Sequence, residues 1–353
     1  MALAALFIVP SFWNWSQYKQ QFEARASDVV GLPVRVTGET SVRLLPTPKV
    51  RFTDIVIGNA ADALAGTVSR FEMNVELTPL ATGEVRIFDM KIVEPNLNLS
   101  LAEDMRFDFG DPLEADEAPG GTRIVFENVA VSDGSLQVVD ESTDRSIKFS
   151  DFSAVVNARD VKGPWRAIGT THAEIGLRQQ NAPNLAERVE FDFGTGTVQD
   201  DGGFRTRLTV VPKGRPVELE MQGDVLIEDG VPSLDGRFKI AQRPLDDTPT
   251  PEAAGFFDWW EADGQLAVSM DALSSSDFEL RLADREDPYK ISGLAELDFA
   301  REGGFDVQAT GEQVDLKRFA ALLPGAKAVT LPSACLHSEA SCARCPPYQG
   351  RAG

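Results

Sequence analysis

The densest set of metal-ligating side chains in the sequence is Cys335, His337, Cys342 and Cys345, all within the last 19 residues. Three thiolates and an imidazole are donors suited to tetrahedral zinc. Against that reading, the spacing is cramped, apolar periodicity stops at Leu331, and Cys, His and Pro enter abruptly against the composition of everything before. Residues 332–353 are therefore read as an out-of-frame or truncated end of the gene, left disordered, with zinc as the alternative. The other histidine, His172, shares a strand face with Thr170 and Glu174 in the alternating stretch 168–177, which suits a solvent-facing position better than a general base or ligand. Gly194-Thr195-Gly196 is a fragment of a dinucleotide fingerprint, but Gln199 stands where the third glycine belongs and no βαβ pattern surrounds it, so it reads as a turn. G-x-S-x-G, Walker A and H-E-x-x-H are absent from the sequence. The expectation is a protein with no catalytic residues and no cofactor, not an enzyme.

The elements that would have to position any site are strands. Val50 and Phe52 alternate, Asp54 interrupts, and the apolar set resumes one step out of phase at Ile55 and Ile57. The figure recurs at Val85, Ile87, Asp89, Met90 and Ile92; at Ile124, Phe126, Asn128, Val129 and Val131; and at Ile147, Phe149, Asp151, Phe152 and Ala154. A one-residue slip sends the following side chains to the opposite face, so a bulge or bend is needed at each Asp or Asn to keep them on one side. Asp and Asn tolerate unusual backbone angles and bond locally to main-chain amides, which gives these positions an architectural role. Further alternating runs follow at 217–227, 266–270, 278–282, 297–299 and 305–307, with glycines at 169, 223, 264, 293 and 311 taken as punctuation between them. Short strands without intervening helical patterns predict an antiparallel or meandering β architecture rather than a parallel βαβ one. Pro-rich stretches at 111–121 and 243–255 read as loops, dividing the β region into 31–110, 122–242 and 256–331.

Composition narrows the partners. Against 34 Lys plus Arg stand 55 Asp plus Glu, a formal charge of -21, which repels nucleic acid and anionic headgroups alike. Any attraction to lipid must then come from acyl chains meeting apolar side chains. Cysteine is absent from residues 1–334, so no disulfide framework supports the body, which suits either an oxidising or a reducing compartment. Residues 1–9 are apolar and uncharged, Trp13 and Trp15 follow, and the first basic residue is Lys19. A membrane span needs about 20 apolar residues. The stretch is read as the C-terminal part of an inner-membrane anchor whose first residues are missing from the sequence, with a buried helix of a soluble protein as the alternative. Trp15, Tyr18, Phe22, Ala26 and Val29 recur at helical spacing, and Gly31 and Pro33 end that helix, so residues 1–30 form an anchor followed by an amphipathic helix.

From Pro10 to about Asp108 the order of short motifs resembles the N-terminal region of the AsmA family. They are Gly31-Leu32-Pro33-Val34, Leu44-Leu45-Pro46-Thr47-Pro48, the strand 50–59, Leu77-Thr78-Pro79-Leu80, Gly83-Glu84-Val85, and Glu94-Pro95-Asn96-Leu97-Asn98-Leu99. The resemblance implies an inner-membrane protein with its body in the periplasm, a long curved sheet with an apolar groove, and a part in outer-membrane biogenesis or phospholipid transport. It implies no catalytic residues.

Two architectures fit one apolar strand face: a groove that leaves it open to phospholipid acyl chains, and a closed sandwich in which two such faces fill each other, as in a scaffold that binds envelope proteins. The groove candidates are Phe52, Ile87, Phe126 and Phe149, the second apolar residue of each repeat. A separate cluster, Phe256, Phe257, Trp259 and Trp260, is either the edge of a core or a patch that touches lipid or a partner.

Overall fold

The computed structural model describes residues 16–43, 49–59, 62–75, 86–101, 125–126, 128–140, 145–158, 163–176, 185–199, 202–228, 231–242, 259–269, 272–282, 285–298 and 304–312. The apolar stretch 1–15, both Pro-rich loops and the Cys/His tail lie outside the described residues.

Helix α1 (Ser16–Val30) ends where the sequence predicts: Gly31 takes φ +73° and its amide donates to Ser27 O at 2.8 Å. No helix among the described residues is long and apolar enough to cross a membrane. The helix lies against strand β1 (Val34–Val36), whose edge amides find partners in it: Val34 N donates to Ser27 Oγ at 2.8 Å and Val36 N to Glu23 Oε1 at 2.7 Å. An unpaired strand edge invites further pairing, and these two side chains occupy it.

The remaining strands are β2 (Thr40–Arg43), β3 (Lys49–Ile57), β4 (Leu64–Val75), β5 (Arg86–Leu101), β6 (Val125–Phe126), β7 (Val129–Asp140), β8 (Arg145–Ala158), β9 (Trp165–Gly176), β10 (Leu185–Thr195), β11 (Phe204–Pro212), β12 (Val217–Glu228), β13 (Val231–Gln242), β14 (Trp260–Val268), β15 (Ala272–Leu282), β16 (Tyr289–Asp298) and β17 (Gly304–Glu312). They form one 17-stranded sheet. Strands β1 and β2 share the same side of β3, and β3, β4 and β5 follow as antiparallel neighbours. From β7 to β17 every strand pairs antiparallel with the next in sequence. Among the described residues β17 pairs only with β16 and β1 and β2 only with β3, so the sheet is open. It runs without a break across both Pro-rich loops, because β5 pairs with β7 and β13 with β14.

One junction departs from the antiparallel expectation: β6 and β7 both run parallel to β5. A parallel neighbour requires a crossover of a dozen or more residues, and residues 102–124 supply that length.

The phase changes are bulges at two of the four expected positions. Asp54 and Asp151 have φ of 50° and 51°, and the β8–β9 register slips between Ser150 and Ser153. The other two differ. Asp89 flanks a slip between Asn74 and Val75 and is tied to Asn74 Nδ2 at 2.8 Å, while Asn128 lies in the gap between β6 and β7, where its carbonyl accepts from Met90 N. Left-handed backbone appears instead at Glu94 (φ 51°) and Asp133 (φ 55°). By register these residues fall in one row across β3, β5, β7 and β8, with Ser69 on β4 donating to Glu94 Oε2 at 2.8 Å. Along this row one sheet face stays apolar on both sides of the left-handed residues.

Candidate functional site: the apolar face of the sheet

The register makes the face explicit. Starting from Phe52, directly paired residues run Phe71, Ile92, Val131, Ala154, Gly169, Phe191, Val210, Leu219, Ile240, Ala262, Leu280, Ile291 and Gly311. Every member of this line is apolar or glycine. One residue to the side, on the opposite face, the line reads Arg51, Glu72, Lys91, Ala130, Val155, Ile168, Asp192, Thr209, Glu220, Lys239, Asp263, Glu279, Ser292 and Thr310. The two faces therefore differ as the interior and exterior of a protein do, yet the apolar one is not sealed. Of the apolar line only Phe52 and Ala154 are buried, and the members from Val210 to Ile291 are partly exposed.

Glycines bend the sheet toward that face. A Cβ on Gly293 would lie 2.0 Å from Gln308 O, and one on Gly236 2.2 Å from Gln222 O and 2.6 Å from Gly223 Cα, so neighbouring backbones approach as no other residue permits. Strands that close over a face make it concave. The glycines at 169, 223, 264, 293 and 311 thus stand inside strands β9, β12, β14, β16 and β17 rather than between strands, a correction to their reading as punctuation. Aromatic rings sit beside the gaps they leave: Phe191 is the register partner of Gly169, Phe238 and Phe278 both pair with Gly264, and Phe278 pairs with Gly293. Phe152 and Phe191 meet over Gly169 as a stacked pair, ring centroids 5.4 Å apart. Two buried hydroxyls on this face take carbonyl partners, Thr171 Oγ1 donating to Ser150 O at 3.0 Å and Thr206 Oγ1 to Gly194 O at 3.4 Å, whereas the buried Ser275 Oγ has none among the described residues.

The N-terminal end of the face is covered. Phe22 of α1 stacks on Phe52 at 4.0 Å and tilts against Phe71 at 5.2 Å, and Ala26 and Val30 join Val34, Val36, Ile55 and Val68 in one core. Phe52 is consequently 1% exposed and forms part of this plug. Phe149, half-buried on β8 between Leu136 and Ala173, lies beyond the helix on the open part. Ile87 and Phe126 are register partners across β5 and β6. Of the floor aromatics, Phe152 stands in the fourth repeat and Phe278 opens an alternating run, but Phe191 and Phe238 escaped sequence reasoning; the available signal was the glycine facing each of them on a neighbouring strand.

The opposite face is a lattice of ion pairs. Arg166 meets Asp192 through two contacts of 2.8 and 3.1 Å, Lys239 and Arg281 share Glu261 at 3.0 and 2.9 Å, and Arg281 also contacts Asp263. The Arg166 guanidinium holds the Asp192 carboxyl below the usual carboxylate range. His172 lies here too, Nε2 3.6 Å from Glu174 Oε1. Gly194 and Thr195 finish β10, and Gly196 continues its ladder, the amide donating to Arg205 O of β11 at 2.8 Å, so these residues extend a strand and do not form the turn expected of them. Among the described residues no group of three or more His, Cys, Asp or Glu side chains is placed to hold a metal. Cys335, His337, Cys342 and Cys345 lie outside them. Of the aromatic cluster, Trp259 carries Arg285 over its ring at 5.9 Å, Trp260 pairs with Leu282, and Phe256 and Phe257 are outside the described residues.

No curated protein and no solved structure matches the chain. A family model does, and it begins at the first residue and ends at the bulge on β8: residues 1–151, which contain the motifs between Pro10 and Asp108, match the AsmA family.

Proposed function

We propose that the protein is an AsmA-type component of the bacterial envelope, anchored in the inner membrane with its body in the periplasm. It works in outer-membrane biogenesis by holding phospholipid acyl chains along the concave face, without reaction chemistry. The observation that carries this reading is the unbroken apolar register line, partly exposed over most of its length and bent inward by glycines. Removing one methylene from water is worth about 0.8 kcal/mol, so a chain of a dozen or more carbons laid along such a face has ample driving force even after ordering costs. The apolar line itself holds no charged side chain, which gives no reason for strong headgroup selection within the groove.

Protein purified without detergent is expected to carry phospholipid detectable by native mass spectrometry and solvent extraction. Phe149→Asp places a carboxylate on the concave face and should empty it, whereas Val155→Asp, at a site 44% exposed on the other face, should leave occupancy unchanged. Both variants are compared only where circular dichroism shows the wild-type fold. Folded wild type that is consistently lipid-free refutes the lipid reading and favours a β-rich scaffold for envelope proteins.

A further inference from the structure

In a chain of net charge -21, positive charge prevails locally among the described residues of the N-terminal strands. On the convex side of the N-terminal strands, Glu72 of β4 is flanked in register by Arg51 of β3 and Lys91 of β5. Lys49 and Arg51 both bond its carboxylate, Arg51 Nε at 2.8 Å, and Arg70 Nη1 stands 3.9 Å away. The carboxylate is 8% exposed, but Arg51 and Arg70 are 47% and 48% exposed, and Lys91 is exposed as well. Four cations thus surround one covered anion. Asp89, one row along, is tied to Asn74.

The helix on the other side of the same strands fixes which end of the protein this is. Ser27 meets Val34 and Glu23 meets Val36, while Val34 pairs with Ile57 and Val36 with Ile55. Going back along α1 from Ser27 to Glu23 therefore moves from the Ile57 end of β3 toward its Lys49 end. Ser16 continues that direction by about 10 Å at 1.5 Å per residue. Ser16, which the apolar residues 1–15 precede in the sequence, therefore stands toward the end of the strands where Lys49, Arg51 and Lys91 lie.

We infer that this patch is a docking surface for the anionic headgroups of the membrane into which the N-terminus leads, and that it sets how the groove stands on that membrane. The inference rests on the envelope reading above but not on the groove's being loaded. Net charge does not oppose it, because at physiological salt charges more than about 8 Å from the surface are largely screened, leaving the nearest ones to decide. A basic cluster beside an apolar segment is a two-signal membrane attachment, in which the apolar part supplies affinity for any bilayer and the cations supply preference for an anionic one.

The test uses the full chain and vesicles of phosphatidylcholine alone or with about one-third phosphatidylglycerol. Tighter binding to the anionic vesicles at low salt is expected, with the difference abolished by high salt. Arg70→Gln combined with Lys91→Gln leaves Lys49 and Arg51 to hold Glu72, and should weaken anionic binding about 25-fold, at roughly fivefold per cation, without altering binding to neutral vesicles. Equal affinity for both vesicle types, or a folded double variant that binds anionic vesicles like wild type, overturns the inference. So does displacement by inorganic phosphate at constant ionic strength, which would mark a site for a free anion. Co-purified lipid, measured on the same samples, reports separately on the groove.

Discussion

Replacing Gly169 by alanine tests whether the inward bend is built by glycine. A Cβ at that position would sit 2.2 Å from Ser153 O and 2.8 Å from Ala154 Cα, so β8 and β9 must separate by about 1 Å to reach ordinary contact at ~3.4 Å. Overpacking of that kind costs about 1–3 kcal/mol. Disturbing the Phe152–Phe191 stack that spans the glycine adds about 0.5–1.5 kcal/mol. The reduced freedom of the unfolded chain returns about 0.4–1 kcal/mol. The net expectation is a loss of about 1–3 kcal/mol in a urea titration followed by far-UV circular dichroism. Gly194, on the next strand and the other face, is the control: the nearest atom to its Cβ is Trp165 O at 3.8 Å, so Gly194→Ala should be neutral or stabilising by up to about 1 kcal/mol. If the two substitutions shift the midpoint equally, or if Gly169→Ala leaves it in place, the bend does not depend on close backbone approach and the account of the concave face fails.

Two further outcomes follow from single residues. Burial pushes the Glu72 carboxyl up, but the hydrogen bonds and charges of Lys49 and Arg51 together outweigh it and hold the group below its ordinary value. A depressed carboxylate stabilises the fold above its unfolded pKa of about 4.3 and loses that contribution as pH falls through the folded value. Glu72→Gln should therefore cost about 1–3 kcal/mol at neutral pH, with the gap to wild type closing below about pH 4 in parallel denaturation curves; a gap independent of pH would show that the ion pairs contribute nothing. At the β8 bulge, Asp151→Gly should hold or raise the thermal midpoint, and Asp151→Val should lower stability by about 1–2 kcal/mol, because a β-branched side chain resists φ of 51°. Equal effects from Gly and Val would mean that the left-handed backbone is not what the position requires.

Period and phase were legible in the sequence because they are local. The alternation around Asp54 and Asp151 carries both the strand and the bulge, and the structure has both. Helix α1 was equally plain from the spacing of Phe22 and Ala26 and from Gly31. What the chain could not disclose locally is which strand lies beside which. Nothing in residues 86–140 distinguishes an antiparallel return from the parallel β5–β7 pairing, and nothing near Phe52 announces that Phe22 lies over it at 4.0 Å. The glycines illustrate the same point. Gly264 looks like a turn residue until Phe238 and Phe278 are seen on either side of it, since its reason for being glycine is a neighbour's carbonyl, Asp277 O, 2.3 Å from where a Cβ would be.

Between β7 and β17 the path is a meander, each strand folding back on its predecessor. Length in that region is therefore counted in strands at about 4.8 Å each, and it can be changed without redesigning what remains. The unit of change is the hairpin. Two strands removed together restore the direction of every later strand, so the loops keep their sides and the apolar residues their face, while the sheet shortens by about 10 Å. A single strand removed would reverse all that follow and exchange the two margins. The parallel step at β5 and β7 is the one place where this arithmetic does not hold, since its crossover sets the direction from which the whole meander is counted. A protein assembled this way is a ruler with even graduations, and the distance its apolar face covers can drift over generations in hairpin steps while the floor stays continuous.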